Sequence, residues 1–175
     1  MRVDWQGEAL DRLLDADHAT LVERVVRELQ GAGWRCLVEV TFAIGRERGS
    51  VDVLALHEAT GTLLVIEVKS VIPDIQATLA TLDRKVRLGP AIARDRGWRC
   101  ERVATILVVA EGRTHRRRVQ AVGATFATHL PARTSEVRRF LARPSGTIRG
   151  LWFLSISTQA TGRHRVGRSR TPPRA

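Results

Sequence analysis

The sequence predicts a single α/β domain whose mixed central sheet is flanked by helices, with an α-β-β-β-α-β core over residues 17–110. Three observations predict this class. A stripe of apolar residues at helical spacing comes first, and three segments of β-forming residues follow it. A second helical stripe then leads into another apolar segment of strand length. A strand, a helix and a strand in this order indicate a parallel crossover, so both antiparallel and parallel strand pairs are expected.

The first helix is predicted from Asp17, which can cap it, to about Gln30. Its apolar stripe ends before two glycines and consists of Leu21, Val22, Val25, Val26 and Leu29. Residues 35–44 are rich in β-formers and predict the first strand. The polar residues 46–50 are then expected to form a loop.

Two apolar segments, Val51–His57 and Thr62–Lys69, are separated by Glu-Ala-Thr-Gly and predict a β-hairpin. Both faces of this hairpin are apolar. One face is expected to carry Val51, Val53, Ala55, Leu64, Ile66 and Val68, and the other Leu54, Leu56, Leu63 and Val65. Strands that are buried on both faces lie in the middle of a covered sheet.

The segment Pro73–Arg96 predicts a second helix, which Asp74 opens and which Gly89 and Pro90 are expected to interrupt. Val103–Ala110 is a continuous apolar segment and predicts the strand after the crossover.

Shorter elements are predicted beyond this core. They are helices at His115–Val122 and Ser135–Ala142, and strands at Ala124–Thr128 and Leu151–Ile156. The domain is therefore expected to span residues 1–157. Residues 158–175 contain five arginines and no acidic residue, and they predict a disordered basic tail.

The formal net charge is +11, and a field of this sign attracts polyanions. Nucleic acid is the expected partner class, although a basic tail that binds nothing in particular gives the same composition. Two cysteines without paired spacing predict reduced thiols and no thiolate zinc site. Neither a leader nor a membrane-spanning segment is predicted, so a cytoplasmic location without membrane contact is expected.

Lysine is rare in this chain, because only Lys69 and Lys85 are lysines among 29 basic residues. Arginine is a broad fork, whereas lysine is a compact point charge that can be partly desolvated beside a reacting phosphate. A specific reason for lysine is therefore expected at these two positions.

The hairpin register predicts a cluster of charged groups. If His57 pairs with Thr62, Asp52 falls opposite Glu67, and their Cβ atoms are then roughly 5 Å apart. Strand periodicity directs Lys69 to the same face. Carboxylates at this density suit Mg²⁺ or Mn²⁺, which polarise a phosphate and lower the pKa of a bound water. The alternative is a surface ion pair between Glu67 and Lys69.

Asp52 followed by Glu67-Val68-Lys69 in the next strand resembles the signature of the PD-(D/E)xK nuclease superfamily. The residues Leu21-Val22-Glu23, with Gly33-Trp34 ten residues later, are similar to the first helix of its Mrr-like restriction enzymes and archaeal-type Holliday-junction resolvases. The predicted core order is also that of this superfamily, and a restriction-endonuclease-like fold is expected. Val51 stands where the signature has proline.

The resemblance implies a metal-dependent deoxyribonuclease. It implies that Asp52 and Glu67 bind Mg²⁺ or Mn²⁺, that the Val68 carbonyl is a further ligand and that Lys69 is catalytic. It also implies that Glu23 completes the site from the first helix. Glu28 lies closer to the apolar stripe and stays an alternative to Glu23, and a solvated carboxylate is the plain interpretation of either.

Several residues outside this signature are candidates for nucleic-acid contacts. Gln76 and Lys85 flank the stripe of the second helix, and Lys85 is the preferred phosphate contact. The consecutive arginines Arg116, Arg117 and Arg118 could hold a nucleic-acid backbone without reading sequence. All five positions could equally be solvated. His18, near the centre of the first helical stripe, is interpreted as a core residue.

Three functions remain compatible with these residues. The first is a metal-dependent phosphodiesterase that acts on DNA. The second is a non-catalytic DNA-binding module that keeps the nuclease fold, as part of a regulator or a defence complex. The third is a purely stabilising polar network. The sequence leaves open DNA or RNA as the substrate, and a monomer or a homodimer.

Overall fold

The computed structural model describes residues 5–156 and contains a five-stranded mixed sheet in the order β1-β2-β3-β4-β5. The first three strands are antiparallel neighbours, and β3, β4 and β5 run parallel. The strands are β1 (Arg35–Ile44), β2 (Glu47–His57), β3 (Thr62–Lys69), β4 (Arg102–Ala110) and β5 (Arg149–Leu154). The predicted α/β class with a mixed sheet and a parallel crossover is therefore confirmed.

Helices cover both faces of this sheet. They are α1 (Trp5–Gly31), α2 (Ile75–Asp95), α3 (Arg113–Ala121), α4 (Gly123–His129) and α5 (Thr134–Ala142). Apolar residues of α1 and α5 pack on one face, and those of α2, α3 and α4 pack on the other. Buried side chains on both faces of β3 and β4 explain their continuous apolar sequences.

The helix α1 begins at Trp5, so the prediction that Asp17 caps it is wrong. Residues 8–16 include Ala, Leu, Glu and Arg, which favour helix, and no Gly or Pro interrupts them. The buried stripe starts only at Leu21, because Leu10 and Leu13 are exposed. Helix propensity rather than burial therefore extends this end.

The predicted loop at 46–50 is also wrong, since β2 begins at Glu47 and pairs with Ile44 of β1. Only Gly45 and Arg46 connect these strands. Gly45 has a φ of 59°, the left-handed conformation that a two-residue hairpin turn requires. The second hairpin keeps its predicted register, with His57 opposite Thr62.

The helix α2 runs without interruption through Gly89 and Pro90. Its start is confirmed, because Asp74 Oδ1 accepts a hydrogen bond of 3.0 Å from the Ala77 N–H. A Cβ on Gly89 would lie 3.0 Å from Val65 Cγ2, so this glycine allows the helix to approach β3 closely. Burial on both sides of Pro90 outweighs the missing backbone hydrogen bond.

The last elements differ from prediction in one case. Ala124–Thr128 lies in α4 and not in a strand. Val122, Phe126 and Leu130 belong to one core cluster, and their four-residue spacing places them on one side of a helix. The predicted short helices and the final strand are present within a few residues of their expected bounds.

Across residues 5–156, no helix combines the length and the apolar character that are needed to cross a membrane. The predicted basic tail at 158–175 lies outside the described residues.

Candidate active site

The regular geometry of the sheet is interrupted at Asp52. The β1–β2 pairs on either side are Val38 with Val53 and Val40 with Val51, and Glu39 between them has a φ of 48°. Side-chain alternation reverses here, because Val51 packs with Leu54 and not with Val53. The predicted position of Val51 is therefore wrong. The cause is the irregular backbone at Glu39 and Asp52, because it turns Val51 to the opposite face of the sheet.

The side chain of Asp52 replaces a backbone carbonyl of β2 as a hydrogen-bond acceptor for β3. The recorded β2–β3 pairs end at Val53 with Ile66. Beyond them, the Val68 N–H donates a hydrogen bond of 2.6 Å to Asp52 Oδ2. The N–H and C=O of one strand residue point to the same neighbouring strand. The Val68 carbonyl is thus directed to the side on which Asp52 lies.

Glu67 and Lys69 lie on the face of β3 that α2 covers, as strand periodicity predicts. Glu67 is only 2% exposed. Its Oε1 atom lies 2.9 Å from Lys69 Nζ, and the Lys69 side chain is 34% exposed. The pair thus joins a buried carboxylate to an ammonium group that solvent can reach, and it is not the surface ion pair of the alternative interpretation.

Lys85 belongs to the same cluster. Its Nζ atom donates to Glu67 Oε2 and lies 3.9 Å from Asp52 Oδ1. Lys85 is 6% exposed and belongs to the buried stripe of α2 that includes Leu82, Leu88 and Ile92. The prediction that Lys85 is an open phosphate contact is revised, since its ammonium group is turned inward to the carboxylates.

Both lysines of the chain contact Glu67, which gives the reason that their rarity suggested. A point charge fits a crowded site between carboxylates better than a planar guanidinium does. The sequence signal for Lys85 was its spacing, because it lies three residues after Leu82 and three before Leu88. The sequence prediction instead placed Lys85 beside the apolar stripe of this helix.

The electrostatics of Asp52 reflect this crowding. Burial raises the pKa of Asp52 above its usual range, and the charge of Glu67 raises it further. The hydrogen bond from Val68 and the charges of Lys85 and His18 act in the opposite direction. His18 of α1 is half-buried, and its influence on Asp52 indicates a location near the site rather than a remote place in the core.

The donor set suits a hard divalent ion that keeps several waters. Asp52 and Glu67 supply carboxylate oxygens, and the Val68 carbonyl faces the same side. Within residues 5–156, no group of three His, Cys, Asp or Glu side chains that could hold a metal is found. Mg²⁺ is commonly bound by one or two carboxylates plus water and substrate phosphate, so these residues fit it.

Glu23 is not brought into this cluster. It is exposed on α1, and its Oε1 atom lies 2.6 Å from Arg27 Nη2. Glu28 is directed toward α5, with its Oε1 atom 3.8 Å from Arg138. Neither carboxylate is therefore positioned as a third acidic ligand. The Leu14 carbonyl accepts a hydrogen bond of 3.4 Å from the hydroxyl of Ser70, which follows β3. The earlier part of α1 therefore approaches the site.

The predicted nucleic-acid residues have different surroundings. Gln76 is exposed in the first turn of α2, and Arg117 is exposed on α3. Arg118 donates a hydrogen bond of 3.2 Å to the Ile72 carbonyl, which anchors α3 near the end of β3. Arg116 lies 2.6 Å from Glu111, and its guanidinium lies 4.8 Å from the centre of the Phe153 ring.

A cavity of about 650 Å³ opens beside the edge strand β5. Three arginines line it, namely Arg116, Arg133 and Arg138. Phe153 in its wall is in register with Val109, which is in register with Lys69. Two strand spacings, about 10 Å, thus separate the backbones of Lys69 and Phe153. The sequence gives no sign that Arg133 and Arg138 join Arg116, because they lie at the start of α5 and on it, whereas Arg116 lies on α3.

The comparisons with known proteins give no family for this chain. No family model matches the sequence, and no curated protein matches it either.

Proposed function

We propose that this chain is a metal-dependent nuclease of the PD-(D/E)xK type, with a restriction-endonuclease-like fold, that hydrolyses phosphodiester bonds of DNA. The observation that carries the proposal is the convergence of Asp52, Glu67 and Lys69 on one face, where β2 and β3 separate. The order of elements from α1 to β4, which matches the predicted core, supports the same fold.

In this proposal Asp52, Glu67 and the Val68 carbonyl hold Mg²⁺ or Mn²⁺. When bound, the ion supplies polarisation of a phosphate oxygen and lowers the pKa of a coordinated water. Lys69 keeps its ammonium group at the solvent side of the cluster, paired with Glu67. From there it orients the attacking water or neutralises the charge that develops on the phosphate.

The partner is inferred from charge. The net charge of +11 favours a polyanion at long range. The cavity at the carboxyl end of β5 is lined by three arginines together with Glu111, which pairs with Arg116. Arginine forks hold phosphates without reading bases, so the cavity suits the backbone of a DNA strand that extends from the cluster.

The test is a cleavage assay with purified protein in Mg²⁺ and in Mn²⁺. The substrates are linear, supercoiled, single-stranded and branched DNA, and an RNA duplex. We expect the wild type to cleave DNA, and Asp52→Ala and Lys69→Ala to lose activity by about 100-fold or more. The matched control is Glu101→Gln, an exposed carboxylate paired with Arg102, which should cleave as the wild type does.

Circular dichroism and melting curves must show that all variants are folded. If the wild type leaves every DNA substrate intact in both metals, the proposal is wrong. Cleavage that survives both substitutions would equally exclude this site as its source.

A second candidate is a non-catalytic DNA-binding module with the same fold, part of a regulator or a defence complex. The observation that favours it is Lys85, whose ammonium group already lies against Asp52 and Glu67. In that case no metal supports cleavage, while DNA affinity falls steeply with salt and is unchanged in Asp52→Ala. Binding and cleavage measured on the same variant separate the two functions.

A further inference from the structure

The helix α2 carries a charged residue in the middle of its buried stripe. Lys85 follows Leu82 and precedes Leu88 and Gly89, all of which are buried against the sheet. Taking an ammonium group out of water is costly unless it is paired. Lys85 is paired with Glu67 and Asp52. The carboxylates therefore stabilise the buried ammonium group, and the ammonium group stabilises the carboxylates.

All four carboxylate oxygens of the cluster have a partner in the structure. Asp52 Oδ2 accepts from the Val68 N–H, and Asp52 Oδ1 faces Lys85 Nζ at 3.9 Å. Glu67 Oε1 pairs with Lys69, and Glu67 Oε2 accepts from Lys85. Each oxygen keeps a second lone pair, but a divalent ion between the two carboxylates is repelled by the ammonium groups that already lie there. Lys85 is the partner that reaches both carboxylates.

We propose that Lys85 is a resident counterion that competes with the divalent ion for Asp52 and Glu67 and thereby sets the metal affinity of the site. This inference rests on the proposed metal site. The lysine stem has four flexible carbons, so the ammonium group can move aside while α2 stays packed. Metal binding then replaces the single positive charge of Lys85 at the two carboxylates by the double charge of the divalent ion.

The first experiment measures Mn²⁺ binding by calorimetry, with no nucleic acid present. Lys85→Met keeps an unbranched side chain that is one atom shorter and removes its charge. Arg87→Met is the matched control, because Arg87 lies on the same helix, is exposed and pairs with Glu47. We expect Lys85→Met to bind Mn²⁺ about tenfold to a hundredfold more tightly than the wild type, and Arg87→Met to bind it with wild-type affinity.

The second experiment uses the wild type and does not depend on a variant that folds. Since the chain has two lysines, selective ¹⁵N labelling of lysine gives two ammonium signals in an NMR spectrum. The buried Lys85 signal is expected to be protected from exchange with water without metal. Saturating Mg²⁺ should shift this signal and accelerate its exchange, because the ammonium group leaves the carboxylates.

The outcomes separate this inference from the proposed function. Tighter binding by Lys85→Met, or binding by that variant alone, supports the counterion role. Equal affinity in the wild type and Lys85→Met, with an unchanged Lys85 signal at saturating Mg²⁺, overturns it and leaves a metal-dependent nuclease intact. A complete lack of metal binding in the wild type and in folded Lys85→Met overturns both.

Discussion

Glu67 is buried between two ammonium groups. Substitution of this residue is therefore expected to change the free energy of unfolding more than other substitutions in the site. A buried ion pair contributes little compared with an apolar pair of the same volume, because both charges lose their hydration. Removal of one partner is different, since the other charge then stays buried without compensation. The cluster is therefore expected to tolerate joint replacement better than single replacement.

Glu67→Leu is predicted to lower the free energy of unfolding by about 3–5 kcal/mol, because Lys85 keeps a buried charge without its main partner. The double variant Glu67→Leu with Lys85→Met should recover most of this loss. Urea denaturation of the wild type, both single variants and the double variant measures the coupling. A double variant as unstable as the sum of the single ones would show that the two side chains act independently.

The thiol of Cys36 gives a second prediction at this scale. Cys36 is half-buried against the core on the α1 side, and burial raises its pKa from 9.0 to about 11. Since the thiolate is the reactive form, iodoacetamide should modify Cys36 slowly at pH 8 in the folded protein and rapidly in urea. Mass spectrometry of digested peptides measures the rates.

The same shift determines how stability depends on pH. The folded protein favours the neutral thiol, so its contribution is fully present below pH 9 and is lost as the pH rises through about 11. In Cys36→Ser this component of the decline should disappear. An identical decline in both proteins would contradict the assignment to Cys36.

At the scale of elements, a close contact between β5 and α5 depends on one glycine. A Cβ on Gly150 would overlap Val137 Cγ2, and both residues are buried. Gly150→Ala is predicted to destabilise the protein by about 1–3 kcal/mol, because the neighbouring strand and helix must move apart.

Gly123→Ala is the matched control for this contact, since a Cβ there meets no atom within 4 Å and the residue begins α4. It should leave the stability unchanged or raise it slightly. Thermal and urea unfolding compare the two variants. Equal stability of Gly150→Ala and the wild type would mean that α5 is not packed against β5 as described.

The elements also show what the sequence could predict. Continuous apolar segments predicted β3 and β4, Asp74 predicted the start of α2, and the hairpin loop predicted His57 opposite Thr62. The faces of Asp52, Glu67 and Lys69 followed from that register. The reversal at Glu39 and Asp52 could not be predicted, because it depends on the simultaneous pairing of three strands. The same holds for Gly89, which only contact with Val65 explains.

At the scale of the whole molecule, one set of basic residues lies at the carboxyl ends of the parallel strands and another at their amino ends. Arg116, Arg133 and Arg138 line the cavity at the carboxyl ends. Arg94, Arg99 and Arg102 lie where α2 ends and β4 begins, at the amino ends. Each set carries three positive charges. Substitution of one set or the other therefore distinguishes a local phosphate contact from the attraction of DNA by the net charge.

The joint substitution of Arg116, Arg133 and Arg138 by glutamine is predicted to weaken DNA binding strongly. Its counterpart at Arg94, Arg99 and Arg102 lowers the net charge equally, from +11 to +8, and should have a small effect. Each phosphate contact adds about 0.9 to the slope of log affinity against log salt, so the cavity variant should lose about 2–3 units of slope. Fluorescence anisotropy over a salt series measures both slopes. Equal losses of slope in the two variants would mean that net charge alone governs DNA binding. The DNA strand would then not extend from Lys69 along the cavity.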